Sequence, residues 1–126
     1  MTGIIGAMEI ETDGLISIMT DSFVKSVGSY NFVKGKICGK EAVVCRCGIG
    51  KVFSSTAAVL MIALFEPETI INLGVAGGAK PLKHGDIVVS ERTVQHDYDA
   101  TADGLEKGRV HGFESPFFDC DRAAVG

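Results

Sequence analysis

Three short apolar runs in this chain each end abruptly in a glycine-bearing turn, and that arrangement constrains the fold more than any other feature. The runs are Thr2 to Ala7, Glu41 to Cys47 and Thr69 to Leu73. The turns are Gly6-Ala7-Met8-Glu9-Ile10-Glu11, Gly48-Ile49-Gly50-Lys51 and Gly74-Val75-Ala76-Gly77-Gly78. Short apolar runs bounded by glycine read as buried strands. Lys51 to Phe65 predicts a helix that Pro67 stops, with a Ser/Thr patch, Ser54 to Thr56, in its first turns. Met8 to Thr20 predicts another helix. Its early acids Glu9, Glu11 and Asp13 suit the helix dipole, and Gly14 weakens it.

Tyr30 to Ile37 and Glu41 to Cys47 flank Cys38-Gly39-Lys40, which predicts a hairpin. Asp86 to Ser90 predicts a further strand in the same sheet as the three apolar runs. From Gln95 to about Ser115 the pattern is polar and irregular. Asp119-Cys120-Asp121 has the composition of a helix N-cap, and a helix is expected to begin with Arg122-Ala123-Ala124-Val125. Strands alternating with helices across short glycine turns predict α/β architecture, a central mixed, largely parallel sheet flanked by helices.

Composition excludes several classes of function. A net charge of −4 over 126 residues gives no electrostatic footprint for nucleic acid. No basic run would draw the chain to a membrane, and the longest apolar stretch, Ala57 to Phe65, is too short to span one. Glu9, Glu11 and Asp13 fall where a secretory signal needs apolar residues, so the expected compartment is the cytoplasm. There thiols stay reduced. Cys45 and Cys47 alternate within an apolar run and should share one face of a strand. No cysteine pair has C-x-x-C spacing, and the four read as free thiols with no metal expected.

In open α/β sheets, ligands sit outside the carboxyl ends of the strands, and glycine lets backbone approach closely there. Three glycine turns at one sheet edge make a pocket rim, although each alone reads as readily as a plain turn. None matches G-x-G-x-x-G or the Walker pattern, so no dinucleotide or other cofactor is expected. Glu9 and Glu11 are either solvated first-turn acids or, at a ligand-facing strand end, a general base. His96-Asp97-Tyr98-Asp99 reads as a solvated loop in preference to a metal site, and His84 and His111 show no partner in the sequence.

The segments 3–11 (GIIGAMEIE), 48–52 (GIGKV), 71–78 (INLGVAGG), 85–90 (GDIVVS) and 96–102 (HDYDATA) occur in this order. Together they resemble the 5′-methylthioadenosine/S-adenosylhomocysteine nucleosidases of the nucleoside phosphorylase superfamily. The resemblance runs through nearly all of the chain, yet it covers only the N-terminal part of a family about twice as long. It implies that residues 1–126 are the N-terminal portion of a single phosphorylase-like α/β domain. The implied reaction is hydrolysis of the N-glycosidic bond of these nucleosides.

Carried over by residue, Glu11 corresponds to the acid that activates water, and Ala7 and Met8 line the ribose side. Ile49 contacts the 5′-alkylthio group, and Ala76 and Gly77 belong to the loop beside the nucleoside. Val75 stands where the family often has a serine whose hydroxyl helps orient the water or the acid. Asp103 stands where an aromatic residue commonly covers the 5′ substituent across a dimer interface, and His111 replaces a proline. The family's later half supplies a base-stacking aromatic, a Met-Glu segment for the ribose hydroxyls and an Asp that protonates adenine, and no matching segment occurs here.

These features predict Glu11, Ile49 and Gly77 around one concave site, with a small-molecule nucleoside as substrate and no nucleic-acid or membrane partner. A homodimer is expected, with Val52, Val59, Leu60 and Phe65 of the 51–65 helix as one candidate surface. The chain alone is expected to be incomplete for catalysis. The alternatives are a purine nucleoside phosphorylase, or a non-catalytic fragment acting as an assembly module.

Overall fold

The glycine-bounded apolar run in Thr2–Gly6 forms β1, an interior strand that is buried on both faces. The computed structural model describes residues 1–125, which divide into two units, Met1–Gly77 and Gly78 onward. In the first unit β1 is followed by α1 (Glu9–Ser17), β2 (Thr20–Val27), β3 (Tyr30–Ile37), β4 (Lys40–Arg46), α2 (Lys51–Phe65) and β5 (Thr69–Asn72). The strands form one mixed sheet in the order β2-β3-β4-β1-β5. β4 and β5 run parallel to β1 on either side, and β2, β3 and β4 are antiparallel neighbours. The architecture is therefore α/β around a mixed sheet.

Local sequence explains most of these elements. Cys38 (φ 49°) and Gly39 (φ 77°) both adopt the left-handed conformation between β3 and β4. Two such residues make a hairpin turn whose twist matches that of its strands. α2 spans the expected residues and closes on Glu66, whose N–H donates to the Ile62 carbonyl at 3.0 Å before Pro67. The first helix is shorter than the predicted 8–20, because the chain leaves it at Ile18 and enters β2. β2 was not predicted: it is an edge strand with seven exposed residues, so burial leaves no alternation in its sequence.

The core lies between the sheet and α2. Ile5, Phe32, Val43, Cys45 and Cys47 meet Ala57 and Met61 of α2, which are one helical turn apart. Complete burial of a side chain such as Phe32 contributes about 1.5–3 kcal/mol. Cys45 and Cys47 share this face, as their alternation predicted, and both are free thiols. Burial and then the neighbouring Cys47 push the Cys45 thiol up to about 11, which keeps it protonated and inert. Gly3 lies under α2, where an added Cβ would stand 2.5 Å from the Met61 sulfur. On the opposite face Ile4 and Val44 are buried, as is Thr12 of α1.

The second unit holds a two-stranded antiparallel sheet of β6 (Arg92–Val94) and β7 (Phe117–Asp119), a short 3-10 turn at Thr101–Asp103, and α3 (Arg122–Val125). Asp121 caps α3 by accepting the Ala123 N–H at 2.9 Å, as the sequence suggested. The predicted strand at Asp86–Ser90 does not form. Its residues belong to no helix or strand and have no ladder partner, and Ile87, Val88 and Val89 are 93%, 63% and 62% exposed. A strand needs a neighbour for its backbone N–H and C=O groups, and none is supplied among the described residues.

Candidate active site

Because β4, β1 and β5 are parallel and in register, their three glycine turns leave the sheet at one edge. Gly6 pairs with Arg46, and Ile5 pairs with Asn72. Two backbone bonds extend this alignment into the turns: Cys47 N–H donates to the Gly6 carbonyl and Leu73 N–H to the Ile5 carbonyl, both at 2.9 Å. α1 begins at this edge, directly after β1, and places Glu11 in its first turn.

Glu11 is held by three main-chain donors. Its Oε2 accepts the N–H groups of Ala7 at 2.7 Å and Met8 at 2.9 Å. Its Oε1 accepts the Val75 N–H at 3.0 Å. A carboxylate has about four lone-pair sites, so one on Oε1 is left for a further donor such as water. The Met8 bond also caps the helix, since the side chain of the third helical residue reaches back to the N-cap N–H. Hydrogen bonds from Val75 and Met8, with a smaller one from Ala7, outweigh desolvation and lower the Glu11 pKa. The group is ionised at neutral pH.

Two glycines make this arrangement possible. An added Cβ on Gly74 would stand 2.6 Å from Glu11 Oε1, and one on Gly6 would stand 2.6 Å from Thr12 Cγ2. The close approach that glycine permits at β5 is therefore to the protein's own carboxylate. Sequence reasoning missed these two roles, and also that the donor at position 75 is main chain. It weighed the Val75 side chain, which has no hydroxyl, whereas the residue holds Glu11 through its N–H.

The other nominated residues are placed as follows. Ala7 and Met8 form the turn beneath the Glu11 carboxylate. Ile49 follows β4 at the same edge and is 74% exposed. Ala76 and Gly77 continue the exposed loop from Val75. Glu9 points elsewhere, into an ion pair with Arg46. Burial, with an added contribution from the Glu11 charge, raises the pKa of Cys47. A cavity of about 300 Å³ opens between α1 and the β2–β3 hairpin, lined by Thr12, Asp13, Ile16, Val24, Asn31 and Arg46. Glu11 is not among its lining residues, so chemistry favours the strand-end site over this groove.

In the second unit, His111 is not isolated as its sequence context suggested. Its Nε2 lies 3.2 Å from Asp103 Oδ2, and its Nδ1 lies 2.8 Å from the Tyr98 hydroxyl. Asp103 and His111, two of the three positions expected to depart from the family pattern, are thus partners of one another. Asp99 accepts from the Thr101 N–H and hydroxyl, which lowers its pKa.

The held state of Glu11 has a pH signature. A depressed carboxyl pKa stabilises the fold fully above the unfolded value of about 4.3 and loses that contribution as pH falls through the folded value. Thermal midpoints of the wild type and Glu11→Gln are expected to differ most near neutral pH and to converge as pH falls through the folded value. A difference that stays constant between neutral and strongly acid pH would show that the three N–H groups do not favour the charged form.

Comparison with known proteins places the fold. The model of the phosphorylase superfamily matches residues 2–125. The chain is 47% identical over 109 residues to a 5′-methylthioadenosine/S-adenosylhomocysteine nucleosidase of Shewanella loihica, covering 86% of this chain and 47% of that one. The nucleosidase of Neisseria meningitidis, solved with methylthio-immucillin-A, superposes with a TM-score of 0.94 at 36% identity. That match covers 98% of this chain and 54% of the other. The Colwellia psychrerythraea nucleosidase, solved with adenine, also gives 0.94, at 38% identity, covering 98% and 51%. The chain spans about half the length of the curated relatives it matches. With a family model matching residues 2–125 and a fold shared with solved nucleosidases, this chain belongs to the phosphorylase superfamily.

Proposed function

We propose that this chain contributes the water-activating half of a site that hydrolyses the N-glycosidic bond of 5′-methylthioadenosine and S-adenosylhomocysteine. The observation that carries the reading is the Glu11 carboxylate, ionised, fixed by three N–H donors and left with one free lone-pair site. As the N9–C1′ bond breaks, positive charge develops on the ribose. Glu11 stabilises that charge, orients water toward C1′ and receives its proton. The N9–C1′ electron pair leaves with the purine and the water oxygen joins C1′; a proton from outside residues 1–126 then completes adenine beside the 5-thioribose product. A carboxylate with a lowered pKa is a weak base, so orientation and charge stabilisation dominate its role.

In this reading Ala7 and Met8 lie along the ribose, Ile49 meets the 5′-alkylthio group, and Val75, Ala76 and Gly77 border the nucleoside. Residues 1–126 form the N-terminal portion of a single phosphorylase-like domain. The acid that protonates the departing purine has no match in them. The outward face of α2 carries Val52, Phe53, Val59 and Ile62, all exposed, and is the surface of a homodimer. Leu60 and Phe65, nominated for that surface from sequence, pack against the core instead. The compartment is the cytoplasm; among the described residues no helix is long and apolar enough to cross a membrane.

The phosphorylase alternative needs cationic side chains to bind phosphate. Arg46 meets the first turn of α1 but is ion-paired to Glu9, which favours water as the nucleophile. Adenine release from 5′-methylthioadenosine, assayed with and without phosphate, tests the reading. The chain alone is expected to release little or none. A chimera in which residues 1–126 replace the matching part of the Neisseria meningitidis enzyme is expected to release adenine without phosphate. Strict phosphate dependence in the chimera would overturn the hydrolytic reading, and robust turnover by the chain alone would overturn its incompleteness.

A further inference from the structure

α1 is a nine-residue helix with one buried residue, Thr12. So short a helix has little stability of its own, and its contact with the sheet decides where it sits. Thr12 is completely buried, and both branches of its side chain are in contact. The hydroxyl donates to the Met8 carbonyl at 3.3 Å, and that carbonyl also accepts the Glu11 N–H at 3.1 Å. The γ-methyl occupies the space that a side chain at position 6 would need, since a Cβ added to Gly6 would stand 2.6 Å from it. Gly6 itself is fixed in the sheet. It is the last residue of β1, in register with Arg46, and its carbonyl accepts the Cys47 N–H at 2.9 Å.

This contact lies beside the Glu11 carboxylate. Glu11 directly precedes Thr12, and the Ala7-Met8 turn that supplies two of its three donors joins Gly6 to the helix. Those two bonds are local and move with the start of the helix. The third donor, the Val75 N–H, belongs to the loop after β5, so its 3.0 Å bond to Oε1 runs from helix to sheet. Its length depends on how far α1 stands from β1. We propose that Thr12 is a positioning residue, whose γ-methyl seated on Gly6 sets the height of the first turn of α1 and so keeps Glu11 within reach of the Val75 N–H. The shape of the side chain does this, and its hydroxyl does not: without it the Met8 carbonyl keeps the Glu11 N–H as a donor. The effect on turnover rests on the proposed reaction, whereas the effect on the Glu11 carboxylate does not.

The test follows the Glu11 side-chain carboxyl of the 126-residue chain by carbon NMR as pH is lowered. Hydrogen bonds from Val75, Met8 and Ala7 hold the wild-type midpoint below the ordinary glutamate value. Thr12→Ser removes the methyl and keeps the hydroxyl, so the midpoint should rise toward the ordinary value as the Val75 bond lengthens. Thr12→Val keeps the methyl and removes the hydroxyl, and should leave the midpoint where it is. Gly6→Ala presses on the methyl from the other side and should raise the midpoint too, which decides the matter if Thr12→Ser does not fold. Combining Gly6→Ala with Thr12→Ser gives the new methyl the vacated space, so the double variant should lie closer to wild type than Gly6→Ala alone. In the chimera, Thr12→Ser should lower kcat about tenfold with KM little changed, a smaller loss than the about 10²-fold of a displacement of about 1 Å. An unmoved midpoint in Thr12→Ser, with only thermal stability reduced, would make the contact merely structural and overturn the proposal. So would an equal rise in Thr12→Val, which would give the role to the hydroxyl, or effects of Gly6→Ala and Thr12→Ser that simply add. A chimera that does not hydrolyse would sink the proposed reaction, while the carboxyl titration would still decide the role of Thr12.

Discussion

Glu11→Gln in the chimera with the Neisseria meningitidis second half is expected to lower adenine release by about 10²–10⁴-fold, the usual contribution of a positioned acid–base group. The substitution removes the negative charge that faces the developing cation. It also breaks the hydrogen-bond pattern. Glutamine has one acceptor oxygen, which can take the place of Oε2 and keep the Ala7 and Met8 donors. Its amide NH2 then faces the Val75 N–H, donor against donor. The water loses its acceptor and the 74–77 loop loses its tether. Nucleoside binding should change much less, because the purine and the 5′ group do not depend on the carboxylate. Turnover of the variant within tenfold of the parent chimera would remove Glu11 from the mechanism.

Gly74→Ala should be nearly as damaging, although the residue offers no side-chain chemistry. The added methyl would stand 2.6 Å from Glu11 Oε1, 3.0 Å from its carboxyl carbon and 3.4 Å from Oε2. The end of a glutamate can usually swing aside, but this one is fixed by three N–H bonds. Relief therefore breaks the Val75 bond or displaces the loop. A shift of about 1 Å in a catalytic group can cost about 10²-fold in rate. The expected result is that kcat falls by that factor with KM little changed, and that thermal stability falls through overpacking. Gly14→Ala is the control, because nothing lies within 4 Å of its added Cβ and it stands in α1 outside the proposed site. Equal kcat for the two variants would show that crowding at Gly74 does not act through Glu11.

Much of this outcome was legible in the residues. The three glycine-ended runs became β1, β4 and β5, and the 51–65 helix kept its predicted bounds. Cys38-Gly39 turned the hairpin, because positive φ at two successive positions is a local property that glycine and its neighbour declare. The position of Glu11 was also readable, since it lies five residues after β1 in the first turn of a helix. By contrast, β2 was hidden, because an edge strand with both faces wet carries no periodic burial. The 86–90 run carried a strand signal that its surroundings do not satisfy.

What the sequence determined alone are features whose causes lie within a few residues: turns, helix ends, the alternation of Cys45 and Cys47, and the set of motifs that marks the family. What only the tertiary structure decided are partnerships between distant positions. Val75 holds Glu11 across 64 residues of sequence, because β1 lies between β4 and β5 and brings the β1 and β5 turns together. His111 finds Asp103 and Tyr98 only once the 96–113 segment has closed on itself. The reason is physical: a turn or helix end follows from local φ, ψ and short-range bonding. A backbone N–H carries no side-chain signature, and its acceptor is set by the packing order of the strands.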